Sequence, residues 1–301
     1  MKTSYRIIEE NLIRTYLLMG VFVGIIFALG YLASIFYENV SIFYIFALVG
    51  ILINFFSYFW GDKIITSITG AKEISRNELP EVYNILENLS ISIGLPKTPK
   101  LYLIESNIMN AFATGRNYYN SLVAVTSGLV KNLSKEEIEG VIAHELSHIK
   151  NRDTTVMMIS TVLSGIIAII ADLFLRMGVH NNKGSKNNFI LLAIGFLFVL
   201  LAPIFAQLIH LAISRKREYM ADATGALITR NPEGLASALE KISKQSQSLD
   251  VSPATASLFI VNPFKNKKDL IGWLGNLFST HPPVEERIRL LRNMVYNKIN
   301  S

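Results

Sequence analysis

The sequence predicts a mainly α membrane protein: four transmembrane helices and a small α+β domain at the cytoplasmic face. Three observations predict it. Half of the 301 residues are hydrophobic and only 17% are charged, an unusual balance for a soluble domain. The excess is concentrated in four long charge-free stretches, 15–37, 40–60, 154–171 and 187–214, each close to the ~20 residues that cross a hydrocarbon core. The polar remainder reads as short helices and strands around one motif, His144-Glu145-Leu146-Ser147-His148.

Taken in order, residues 1–14 carry Lys2, Arg6 and Arg14 ahead of the first apolar run. That run is too long for the apolar part of a signal peptide and has no clear cleavage site. It is read as a first span over about 15–36. Tyr37-Glu38-Asn39 is a tight turn, and a second span returns over about 40–60. The turn holds no Lys or Arg, so the positive-inside rule places the N-terminus in the cytoplasm of a plasma-membrane protein. Four crossings bring the C-terminus and the polar domain to the same side. Of 29 basic residues only Arg176, Lys183 and Lys186 then fall in or near an outer loop. The net charge of +6 suits the anionic inner face of a bilayer. No basic patch with interleaved aromatics points to nucleic acid. Zero Cys excludes disulfides and Cys-ligated metal.

Residues 61–153 form the first cytoplasmic part. Asn77-Glu78-Leu79-Pro80 starts a helix that Gly94-Leu95-Pro96 stops. Residues 100–105 and 121–126 alternate like short strands. Between them Asn110-Ala111-Phe112-Ala113-Thr114-Gly115 is a small-residue extended stretch of the kind found at sheet edges. Ser134-Lys135-Glu136-Glu137 is a capping box, so the motif helix starts there. Ile138, Val141, Ile142 and Ile149 give it an apolar flank, with Gly140 its one weak point. The third apolar run opens six residues after His148, and nothing in the sequence separates the motif helix from it.

The second membrane hairpin occupies 154–214, with spans over about 154–175 and 189–214. Asp172 and Arg176 are spaced for an ion pair or for snorkelling to the surface, Pro203 is a kink, and His210 reads as a polar spot facing the bundle in preference to a metal ligand. Arg215-Lys216-Arg217 marks the inner boundary, and 215–301 is the second cytoplasmic part. Residues 243–252 are polar loop, and a last helix starts near Pro283 and ends near Lys298.

The chemistry follows from spacing. Residues four apart share one face of a helix, so His144 and His148 can both reach one metal ion. Glu145, beside the first ligand, can act as general base toward water activated there. Glu218 and Asp222 are also four apart, on the helix after the fourth span. At ~1.5 Å per residue His148 and Glu218 lie within about 10 Å of the same membrane surface. Two imidazoles and a carboxylate with one open position make a catalytic rather than a structural zinc site. Asp222 can orient a ligand histidine. On its own His281 can be a helix cap, and Arg287 can pair with glutamates of the last helix.

These residues together resemble a family: the HtpX-like membrane zinc endopeptidases of the M48 peptidases, related to the Ste24 CAAX prenyl endopeptidase. The resemblance rests on the two N-terminal spans, Asn110-Ala111-Phe112-Ala113, the motif followed by Asn151-Arg152-Asp153, the pair Glu218 and Asp222, and His281-Pro282-Pro283 through Arg287. It implies a zincin-like α+β metalloprotease domain with one Zn2+ per chain, ligated by His144, His148 and Glu218, with Glu145 as base. It also implies that Asn110 to Ala113 line the substrate cleft and that His281 and Arg287 lie beside the site, one of them stabilising the oxyanion. Four spans and short loops resemble the prokaryotic quality-control branch, whose substrates are misfolded or damaged membrane proteins. A non-catalytic zinc scaffold is disfavoured by the intact Glu145. A transporter is disfavoured by the few charges within the spans.

Overall fold

The computed structural model describes residues 4–180, 215–245, 258, 260 and 282–299. It is mainly helical, with one small sheet. Helix α1 (Ser4–Phe36) and helix α2 (Val40–Thr69) pack against each other. Residues 37–39 join them, and the Asn39 side chain accepts the Ser41 N–H to cap α2. Ile7–Ile35 and Val40–Thr69 are long and apolar enough to cross a membrane. Large apolar side chains such as Leu17, Leu32, Ile51 and Phe55 point outward, as lipid-facing helices require.

Both helices outrun the expected spans. α1 starts at Ser4 rather than near Thr15, and α2 continues past Trp60 to Thr69. The extension of α2 is a prop: Ile65 is buried in the same apolar cluster as Phe112 of the sheet. Gly70, at φ 68°, then terminates it.

The sheet contains β1 (Lys72–Glu73), β2 (Lys100–Ile104), β3 (Ala111–Asn117) and β4 (Asn120–Thr126) in the order β1-β2-β4-β3. Strands β2 and β4 are parallel, and the other pairs are antiparallel. The period of two sorts the side chains by face. Ala111, Ala113, Val123 and Val125 join the core that includes Ile85, Val141 and Leu239, whereas Phe112, Leu122 and Ala124 join a cluster with Phe22 of α1 and Ile65 of α2. The sheet is thus the layer between the membrane bundle and the catalytic core. Burial on both faces explains the continuous apolar run of β4.

Helix α3 (Pro80–Ile93) has Pro at its start and Gly94 at its end, as the sequence predicts. A short α4 (Ser127–Asn132), absent from the sequence reading, leads to the motif helix α5 (Lys135–Lys150). Ser134 and Glu137 form the reciprocal capping box. Helix α6 (Asp153–His180) packs on α1 and α2. Helix α7 (Arg215–Thr229) and helix α8 (Pro232–Gln245) pack on α5, and helix α9 (Val284–Ile299) packs on α7 and α8. The sequence reading had no helix for α8, and assigned its end, from residue 243, to loop. The fourth apolar run, with Pro203 and His210, lies outside the described residues, as do the side chains of Asp172 and Arg176.

The motif helix does not run on into α6. It ends at Lys150, and Arg152 takes a left-handed φ of 61°. A non-glycine residue adopts that conformation at a cost of roughly 1–2 kcal/mol, so tertiary contacts must impose it. They are visible. The Tyr118 hydroxyl donates to the Lys150 carbonyl at 3.1 Å, and Asn11 Nδ2 donates to the Asn151 carbonyl at 2.7 Å. The Arg152 guanidinium lies over the Tyr118 ring and donates to the Arg116 carbonyl at 3.0 Å.

Candidate metal centre

The motif helix is buried continuously from Val141 to Ile149. His144 and His148, one turn apart, turn their Nε2 atoms to within 3.2 Å of each other. Glu218, from α7, places Oε2 3.8 Å from His144 Nε2 and Oε1 3.5 Å from His148 Nε2. All three side chains are at most 2% exposed. Zinc at ~2.0–2.1 Å from N and O donors in a tetrahedron requires donor–donor edges of about 3.3–3.4 Å. The imidazole–imidazole edge is close to that value and each imidazole has a Glu218 oxygen at 3.5–3.8 Å, so these residues fit a metal ion after a small shift of the carboxylate.

The orientation of both rings is fixed from behind. His144 Nδ1 is 2.9 Å from Asp222 Oδ1, and His148 Nδ1 is 3.0 Å from Asp153 Oδ2. A carboxylate at Nδ1 holds the proton there and leaves the Nε2 lone pair for the metal. Asp222 is in turn clasped by Arg287, whose Nε and Nη2 donate to its two oxygens at 2.8 and 2.7 Å. Arg287 Nη1 donates to the Ile260 carbonyl at 3.0 Å. Burial works against the Asp222 charge, but Arg287 and His144 outweigh it and hold its pKa well below the usual carboxylate range. The Arg287 pKa is raised, with Asp222 outweighing burial.

The titrations are pulled apart. Burial lowers His144 to about 4, and the Arg287 cation helps, against the opposing effect of Asp222. Burial also disfavours the His148 cation, yet Glu218, Asp153 and Glu145 carry it up to about 9. Burial raises Glu145 to about 7, the His148 cation opposing and Glu218 assisting. A base poised near neutrality is suited to proton transfer at physiological pH.

Of the residues singled out from sequence, the structure brings His144, Glu145, His148, Glu218, Asp222 and Arg287 together. Asn110 is buried at the start of the edge strand β3, where its N–H meets Thr126 Oγ1 at 3.0 Å. Its side-chain amide donates to the Leu258 carbonyl and accepts the Ile260 N–H. Ala111 and Ala113 sit on the face toward α5, and the Ala113 N–H donates to Glu145. The Phe112 side chain points to the opposite face, among the membrane helices, so it cannot line a cleft over α5. His281 lies outside the described residues. Asp153, the partner of His148, had no role assigned from sequence. Its signals are its place in Asn151-Arg152-Asp153, part of the family resemblance, and a spacing of five residues from His148, out of helical register with it. The left-handed Arg152 swings it back.

Comparison with known proteins agrees with this geometry. Residues 76–295 match peptidase family M48. A protease HtpX homolog of Thermoanaerobacter pseudethanolicus is 42% identical, over 97% of this chain and 98% of that protein. One from Syntrophobacter fumaroxidans is 46% identical over 82% and 87%. The crystal structure of S. mikatae Ste24p aligns at 18% identity with a TM-score of 0.48, covering 95% of this chain and 67% of that one. Buried histidines and a glutamate that fit one metal ion, within a family match spanning most of the chain, show that this chain belongs to peptidase family M48 as an HtpX-type metalloprotease.

Proposed function

We propose that the protein is a zinc-dependent endopeptidase of the plasma membrane that cleaves misfolded or damaged membrane proteins at the cytoplasmic face. The observation that carries this reading is the convergence of His144 Nε2, His148 Nε2 and a Glu218 oxygen on one point, with Glu145 beside it. Four spans and cytoplasmic termini, with catalytic parts at 61–153 and 215–301 between and after the hairpins 1–60 and 154–214, follow from the charge asymmetry and the apolar runs. Zinc, when bound to this His2Glu set, supplies Lewis-acid polarisation of the scissile carbonyl and lowers the pKa of attacking water toward about 7. Glu145 takes the proton of that water and returns it to the leaving amine. Asp222 and Asp153 keep the two imidazoles in the ligating tautomer. Arg287 acts through Asp222, since its Nε, Nη1 and Nη2 are engaged with Asp222 and Ile260. The oxyanion is assigned to His281 or Arg287, on the family resemblance alone. Strand β3, at the end of the sheet, is the segment against which an extended substrate pairs.

The test is cleavage of casein by the purified protein with and without chelator, beside Glu145→Gln. Chelator should abolish cleavage. Glu145→Gln should retain zinc and lose turnover, and activity surviving in that variant would remove Glu145 from the role of base.

A further inference from the structure

Helix α1 reaches into the metal centre. Asn11 is 1% exposed, and its Nδ2 donates to Asp153 Oδ1 at 2.7 Å and to the Asn151 carbonyl at 2.7 Å. Arg217 Nη1 lies 2.9 Å from the same Asp153 oxygen. The two oxygens of Asp153 therefore have separate tasks: Oδ2 faces His148, and Oδ1 is held by α1 and α7. Asn11 lies on the buried stripe of α1 that continues through Thr15, Leu18, Phe22 and Ile26. That stripe is otherwise apolar apart from Thr15, whose hydroxyl is satisfied within the helix by the Asn11 carbonyl. An amide buried in such a stripe is costly unless its bonds are made. Here both N–H bonds go to the break that turns Asp153 toward His148, while the amide oxygen has no hydrogen-bond partner among the described residues.

We infer that Asn11 is a positioning residue of the metal centre, and that metal binding is coupled to the seating of α1 on the catalytic core. The inference rests on His148 being a metal ligand. Seating α1 fixes Asp153, Asp153 fixes the His148 ring, and the ordered ring binds metal more tightly. Coupling of this kind is reciprocal, so bound metal must hold α1 in place by the same factor. A chain whose first helix is displaced therefore carries a weakened metal site.

The experiment uses the full chain in detergent, with Zn2+ titrated against a chromogenic chelator. Asp153→Asn should weaken zinc binding by about 10–100-fold and Asn11→Leu by about tenfold, the low end for residues that orient a ligand. The double variant should be no weaker than Asp153→Asn alone, because Asn11 acts through that carboxylate. Additive losses in the double variant, or an unchanged affinity in Asn11→Leu, would overturn the inference. His148→Asn separates the two claims: if it binds zinc normally the ligand assignment itself fails, and if it loses zinc while Asn11→Leu does not, only the coupling fails. A second measurement needs no change at Asn11. The chain has no cysteine, so Thr15→Cys gives a single buried thiol on α1 as a reporter of its seating. Zinc should slow its labelling by maleimide, and should no longer do so when Asp153→Asn is added and zinc raised to equal occupancy. A labelling rate indifferent to zinc in the first protein would sink the coupling.

Discussion

Two histidines on one helix face are not equivalent, and their neighbours explain why. Burial, helped by the Arg287 cation and opposed by Asp222, disfavours a positive charge on His144 and lowers its pKa to about 4. His148 faces Asp153, Glu218 and Glu145, and is protonated up to about 9 in the metal-free chain. The sign follows from linkage. The unfolded value is about 6.5, so the stabilisation from the His148 cation is fully present below that pH and is lost as pH rises through about 9. Zinc requires the neutral ring and must displace that proton. Zinc affinity should therefore rise by about tenfold per pH unit up to pH ~9, with release of roughly one proton from this ring. Titration in a weakly buffered dye solution at pH 8 measures the release, and a proton-neutral binding event would contradict the assignment.

At the scale of elements, α5 and β3 define the site between them. Gly140 reads in sequence as a weak point of the motif helix. In the fold α8 packs tightly against it, and a Cβ there would fall 2.6 Å from the Leu235 N. The helix concedes local propensity to let a neighbour in. For β3, the alternation of an antiparallel ladder decides which groups face outward. Asn110 pairs with Thr126 through its carbonyl, which accepts the Thr126 N–H, so Phe112 and Thr114 also turn toward β4. Ala111 and Ala113 turn their N–H groups to the free edge, consistent with the bond from Ala113 to Glu145. Ala111→Pro and Ala113→Pro should each remove one outward donor. Both should lower casein turnover while zinc content and folding hold. Normal cleavage by folded, zinc-loaded forms of both variants would move the substrate off this strand.

For the whole molecule, the sheet couples membrane helices to catalytic helices. One of its faces belongs to the cluster with Phe22, Ile65 and Met158, the other to the core with Val141 and Leu239. The candidate metal centre therefore sits where α1, α6 and α7 meet around Asp153. Both termini should be cytoplasmic. A thiol introduced by Ser301→Cys, in a chain otherwise free of cysteine, should react with an impermeant maleimide only after the membrane is opened. Labelling of intact cells would reverse the topology.

The cluster of His144, His148 and Glu218, the capped motif helix and the two long apolar helices are legible in the amino-acid sequence alone. Each rests on a short-range regularity: a spacing of four, a capping box, an apolar run of bilayer length. Of what holds the ligands, only Asp222 was legible; the partners behind it and behind His148 join residues far apart in the chain. Asn11 reaches Asp153 across 142 positions and Arg287 reaches Asp222 across 65. Asp153 itself was hidden by the assumption that a helix without Pro or Gly continues. Tertiary bonds from Asn11 and Tyr118 to the last carbonyls of α5 impose the left-handed turn at Arg152. No local propensity calls for that turn, so only the packed structure could place the second carboxylate behind its histidine.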